Sequence, residues 1–158
     1  MPKFVADSSE TTGLKWAAPA GGGKVLQVVS ATYSTETSNS TSTYADTGLT
    51  ASITPSAASS KVLILVFSGD IYKSNANVLN RLSYRIMRGA TSIHVAETIY
   101  TGAATELKMT HASSYLDSPN TTSSTTYKTQ FMNPANAASV TVQNNNSTAT
   151  ITLLEIGA

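Results

Sequence analysis

Two histidines, His94 and His111, four carboxylates close to predicted strand ends (Asp70, Glu97, Glu106 and Asp117) and seven tyrosines are the groups through which this chain would do chemistry. A histidine pair can ligate an ion, including one on a symmetry axis, or act as general base beside a carboxylate. Neither histidine is accompanied by a partner at ligand spacing, and each falls at a polar or boundary position of a predicted strand. The reading is therefore structural, with ion binding as the alternative. Glycosidases need two carboxyl groups facing each other across a cleft. The four carboxylates come from separate segments, as in any loop-rich β-domain. No Gly-x-Ser-x-Gly elbow is present, and Gly21-Gly22-Gly23 is not followed by the Lys-Ser/Thr of a phosphate loop. The expectation is a non-enzyme with no catalytic residue, cofactor or metal, and a glycan-active enzyme is the remote alternative.

The remaining groups invite binding roles. Tyr33, Tyr44, Tyr72, Tyr100, Tyr115 and Tyr127 sit near predicted strand ends, where a ring either stacks on a sugar or closes the edge of a core while its hydroxyl bonds. The second role is the expected one. Arg81, Arg85, Met87 and His94 fall on the outward side of one predicted hairpin, which makes them either a solvated face or a candidate subunit interface.

The elements that must carry these residues are strands. Serine and threonine supply 46 of the 158 residues, a bias that favours strands and turns over helices. Lys24 to Tyr33 reads as a first strand with both faces partly covered, and Ser34 to Thr43 as a polar loop. Leu49, Ala51 and Ile53 alternate with polar residues up to Pro55, the pattern of a half-buried strand. Lys61 to Phe67 contains a continuous apolar run, which predicts a central strand buried on both faces. A type II′ turn at Gly89-Ala90 pairs Arg88 with Thr91, Ile86 with Ile93 and Tyr84 with Val95. That register sends Leu82, Tyr84, Ile86, Ile93 and Val95 to the core. It leaves Arg81, Ser83, Arg85, Met87 and His94 on a cationic outer face. Further strands are expected at Thr105 to Tyr115, Ser124 to Met132, Ser139 to Gln143 and Ser147 to Ile156, the last two joined as a hairpin through Asn144-Asn145-Asn146. Eight or nine short strands predict an all-β fold, an antiparallel β-sandwich of jelly-roll type. It occupies residues 24–158 and follows an extended N-terminal arm and Gly-rich linker at 1–23.

Composition narrows the partners. Charged residues are 12% of the chain and the formal net charge is +1, so no basic field exists to hold nucleic acid or an anionic membrane. Cysteine is absent. Met1 to Glu10 lacks the apolar stretch of a signal peptide, and Val62 to Phe67 is too short for a membrane span, so membrane insertion is not expected. The acceptor-like triplets at Asn39, Asn120 and Asn146 read as loop chemistry.

The arm holds Phe4, Val5, Leu14 and Trp16 among polar residues, too few to form a core and apolar enough to need a covering surface. The stretch Val5-Ala6-Asp7-Ser8-Ser9-Glu10-Thr11-Thr12-Gly13-Leu14-Lys15-Trp16-Ala17-Ala18-Pro19 resembles the leaders of tail-fibre and related virion surface β-modules of bacteriophages, where it precedes a Ser/Thr-rich β-domain. The resemblance implies a homotrimer made in the host cytoplasm and displayed on the virion. The arm would face other virion proteins, and the β-domain a host surface glycan or protein. A complete fibre has a long shaft, whereas two dozen residues precede the domain here, so the resemblance leaves a tail position and capsid decoration open.

Overall fold

The computed structural model describes residues 3–6, 14–17 and 23–157, the first two stretches by backbone alone. Its strands are β1 (Lys3–Ala6), β2 (Leu14–Ala17), β3 (Val25–Tyr33), β4 (Thr37–Asn39), β5 (Ala45–Ile53), β6 (Lys61–Lys73), β7 (Leu82–Arg88), β8 (Thr91–Ile99), β9 (Leu107–Asp117), β10 (Thr125–Met132), β11 (Val140–Val142) and β12 (Ala149–Ile156). Two antiparallel sheets pack into a sandwich. The larger runs β3-β12-β6, with β9 on the other side of β6 and β11-β4 alongside its far end; the smaller runs β5-β10-β7-β8. The sequence β3-β12-β6-β9 over β5-β10-β7-β8 is the strand order of a jelly roll, as expected from the chain.

Period-two alternation explains the layers. Leu49, Ala51 and Ile53 of β5, Tyr127 and Phe131 of β10, Tyr84 and Ile86 of β7, Ile64 and Val66 of β6, and Ile151 and Leu153 of β12 all point between the sheets and are buried. Burying an aliphatic or aromatic side chain of this kind contributes about 1.5–3 kcal/mol. This one core holds both sheets together.

Several sequence expectations change in detail. The hairpin β7–β8 turns at Gly89, the glycine whose φ of +54° suits the first central position of a type II′ turn, and Arg88 pairs with Thr91. One step further the register slips. A bulge makes Ile86 face His94 and Tyr84 face Ala96, so His94 turns inward while Val95 is 55% exposed. Met87 and Ser83, expected outside, are buried under neighbouring side chains. The polar loop 34–43 contains β4, which pairs with β11. Within the N-terminal arm the extended strands β1 and β2 pair antiparallel, with Phe4 opposite Trp16 and Ala6 opposite Leu14.

The closing hairpin does not form. β11 and β12 both run antiparallel to β6 along the same edge, one beside Tyr72 and Lys73, the other beside Lys61 to Phe67. Gln143, Asn145 and Asn146 take left-handed φ of 49°, 56° and 56°, and the excursion returns the chain to its original direction. It fits because β6 bulges opposite it. Gly69 packs against the Ser147–Thr148 segment, and the Ser147 hydroxyl accepts the Asp70 N–H at 2.7 Å.

Candidate functional site

The small sheet carries an outer face of cross-linked polar groups. Lys128 donates to Asp46 at 2.9 Å and Gln130 donates to the same carboxylate at 2.7 Å. Arg85 donates two bonds to Gln130 Oε1, at 2.8 and 2.6 Å, and lies 3.7 Å over the Tyr44 ring, whose hydroxyl meets Ser83 at 2.8 Å. Burial of Asp46 raises its pKa, but the hydrogen bonds from Lys128 and Gln130 outweigh it and hold the carboxyl below its ordinary value. The face is a charge-compensated lattice rather than the cationic surface expected. Arg81, 3.9 Å from Glu97, shares this side with Arg85 and Met87, whereas His94 faces inward between the sheets; the four residues do not form one patch.

The candidate carboxylates are held by different partners. Asp117 is buried and accepts Arg88 Nη1 at 2.9 and 3.0 Å and the Tyr127 hydroxyl at 2.7 Å. Burial, then the hydrogen bond to Asp117 and its charge, raises the Tyr127 pKa far above its ordinary value. Glu106 accepts from Tyr72, and Asp70 from Asn144 at 3.1 Å. Each has its own structural partner. No two of these four carboxylates share a hydrogen-bond partner among the described residues.

The histidines lie at the rim where β8 meets β9. The His94 ring centroid is 5.7 Å from Tyr115 and that of His111 is 5.0 Å from Tyr84. Burial, and secondarily the neighbouring His94, lowers the His111 pKa, while burial pushes the Tyr84 hydroxyl up to about 12. The described residues contain no group of three or more metal-ligating His, Cys, Asp or Glu side chains. Of the tyrosines, Tyr127 is fully buried, Tyr33 and Tyr115 pack against the core, and Tyr100 is the one left 52% exposed.

Two buried charges escaped the sequence reading. Glu155 accepts the Ser56 hydroxyl at 2.6 Å, the Ser56 N–H at 2.7 Å and the Gln27 amide at 2.7 Å, and these bonds, led by Ser56, hold its pKa down at about 2. Lys73 is wholly buried and donates to the Ala103 and Thr105 carbonyls at 2.8 and 2.9 Å, pinning the β8–β9 connection. Both occupy inward positions of otherwise apolar strands, a break in alternation that is visible in the sequence.

The outer face of the large sheet is the opposite of the small one. Across it run three rows: Val28, Leu154, Leu63 and Leu116; Ser30, Thr152, Leu65 and Ser114; Thr32, Thr150, Phe67 and Ala112. None of the twelve is charged. Val28 is 58% exposed, Leu116 48%, Phe67 44% and Leu65 41%, so among the described residues β6 is buried on its inner face while Leu65 and Phe67 stay exposed on the other, contrary to the expectation from its apolar run. The backbones of Phe4, Val5, Leu14 and Trp16 lie in β1 and β2, and their side chains lie outside the described residues.

Fold and surface together define a jelly-roll sandwich with one charged, cross-linked face and one uncharged face that exposes Val28, Leu65, Phe67 and Leu116. No family model matches the chain, and no curated protein does. Among solved structures, it is similar at 15% identity to a chain of the infectious bursal disease virus Gx strain, over 100% of this chain and 42% of that one, with a TM-score of 0.25. A mutant VP2 protein of the same virus, from T=1 particles, gives 13% identity, 98% and 40% coverage and a TM-score of 0.27. The chain thus spans about two fifths of those viral proteins. At such TM-scores the likeness carries no argument about function.

Proposed function

We propose that this chain is a non-enzymatic bacteriophage virion surface protein, a homotrimeric β-module anchored by residues 1–23 and of tail-fibre, receptor-binding type. The observation that carries the reading is the leader Val5–Pro19, with its apolar Leu14 and Trp16, joined through Gly21-Gly22-Gly23 to a jelly roll that begins at β3. Such a segment contributes binding energy when a neighbouring protein covers it. Several copies on one particle would then multiply a weak contact to a host glycan or protein.

Quantifying the protein in purified virions tests the reading. A handful of copies per particle is expected at a tail, with purified protein competing for adsorption. Copies on the order of hundreds would instead assign it to decoration of the shell, where symmetry repeats the site. Absence from the particle would overturn both.

A further inference from the structure

The continuous run Val62-Leu63-Ile64-Leu65-Val66-Phe67 has the composition of a strand covered on both sides, yet the fold covers one. Val62, Ile64 and Val66 face the core; Leu63, Leu65 and Phe67 belong to an uncharged surface across β3, β12, β6 and β9 in which Val28, Leu154, Leu116 and Ala112 add apolar groups and the remaining positions are Ser or Thr. Charges stand at its ends, Lys61 on one side, Lys108 and Glu106 on the other, and are absent from its centre. A centre free of charge within a charged rim is the anatomy of a protein–protein interface.

We infer that this face is where copies of this chain meet, the same residues from each copy turned toward a common axis. The choice of occupant follows from charge. A partner here must bring a surface with no charge to desolvate at its centre, and the two broad sheet faces of this chain differ in that respect. Covering the other one would bury Asp46, Lys128 and Arg85, whereas this face meets its own copy without desolvating a charge at the centre. The inference rests on the oligomer in the functional reading but not on the number of copies. It replaces Arg81, Arg85, Met87 and His94 as the contact set.

Light scattering on the full chain, with two double variants, tests it. Leu65→Glu with Phe67→Glu should lower the mass to the monomer at concentrations where the parent is associated, with the thermal melt of the fold retained because both side chains are exposed. Arg85→Glu with Lys128→Glu should leave the mass unchanged. Because the chain has no cysteine, Phe67→Cys should form intermolecular disulfides under mild oxidation, and Thr50→Cys, on the polar face, should not. An associated parent whose mass survives the Leu65/Phe67 change overturns the inference and leaves the trimer standing; a dimeric parent that the change dissociates supports the inference and overturns the trimer. A monomeric parent that associates once Leu14 and Trp16 are both changed to serine would assign the face to the N-terminal segment, and a parent monomeric throughout would overturn both readings.

Discussion

Glu155 shows how one buried carboxylate ties three segments together. It lies on β12, receives Ser56 from the β5–β6 connection and Gln27 from β3, and so spans the edge of the large sheet. Its folded pKa of about 2 lies below the ordinary 4.5, so the unfolded chain binds the extra proton as pH falls. The stabilisation is complete above about pH 4.5 and is lost as pH drops towards 2. His111 acts in the same direction at higher pH: its lowered pKa means that the unfolded chain takes up a proton first, and stability declines below about pH 6.5. Urea unfolding at a series of pH values should therefore show two acid limbs. Glu155→Gln should weaken the protein at pH 7 and flatten the lower limb, leaving the upper one in place. A lower limb unchanged in the variant would mean that other carboxylates carry it.

At the scale of elements, two glycines with positive φ separate conformational from steric cost. Gly89 has φ +54° and open space where a Cβ would project, so Gly89→Ala should cost only the backbone preference, about 1 kcal/mol. Gly48 has φ +91°, and its Cβ would overlap the Tyr33 ring, so Gly48→Ala should cost more, on the order of 3 kcal/mol, because Tyr33 packs on the core and has to move. Denaturant midpoints of the two variants check this; equal losses would contradict the packing role of Tyr33. The same contrast shows what was legible in the chain. Gly89 announced the turn through a local rule, and strands β5, β10 and β12 announced themselves by alternation. The bulge that slides His94 inward depends on how β8 fits the rim beside β9, a non-local condition with no local signature. Likewise the Asn-rich stretch signalled left-handed backbone correctly, but not whether the chain would fold back or continue. That was decided by the bulge at Gly69-Asp70 on a strand about seventy residues away, a separation that pattern rules do not bridge.

For the whole molecule, the jelly roll was readable because several core strands, β5, β10 and β12 among them, carry their own period-two pattern, while the candidate contact surface was not, because sequence shows which residues are apolar but not which face goes uncovered. The outward placement of Arg81, Arg85 and Met87 directed the sequence reading to the small sheet, where Met87 is buried and Arg85 is bonded to Gln130 and stacked on Tyr44. The two surfaces respond to salt in opposite ways. An assembly held through Arg81, Arg85 and the acidic groups of a neighbour would weaken as the screening length contracts from about 10 Å at 0.1 M to about 3 Å at 1 M. One held through Leu63, Leu65, Phe67 and Leu116 has no such term, and excluded salts such as sulfate strengthen it. Cooling separates them again, since apolar burial loses driving force at low temperature. Sedimentation of the full chain should therefore show an assembly that withstands 1 M sodium chloride, tightens in ammonium sulfate and loosens towards 4 °C. Dissociation by salt alone would return the contact to the charged face of the small sheet.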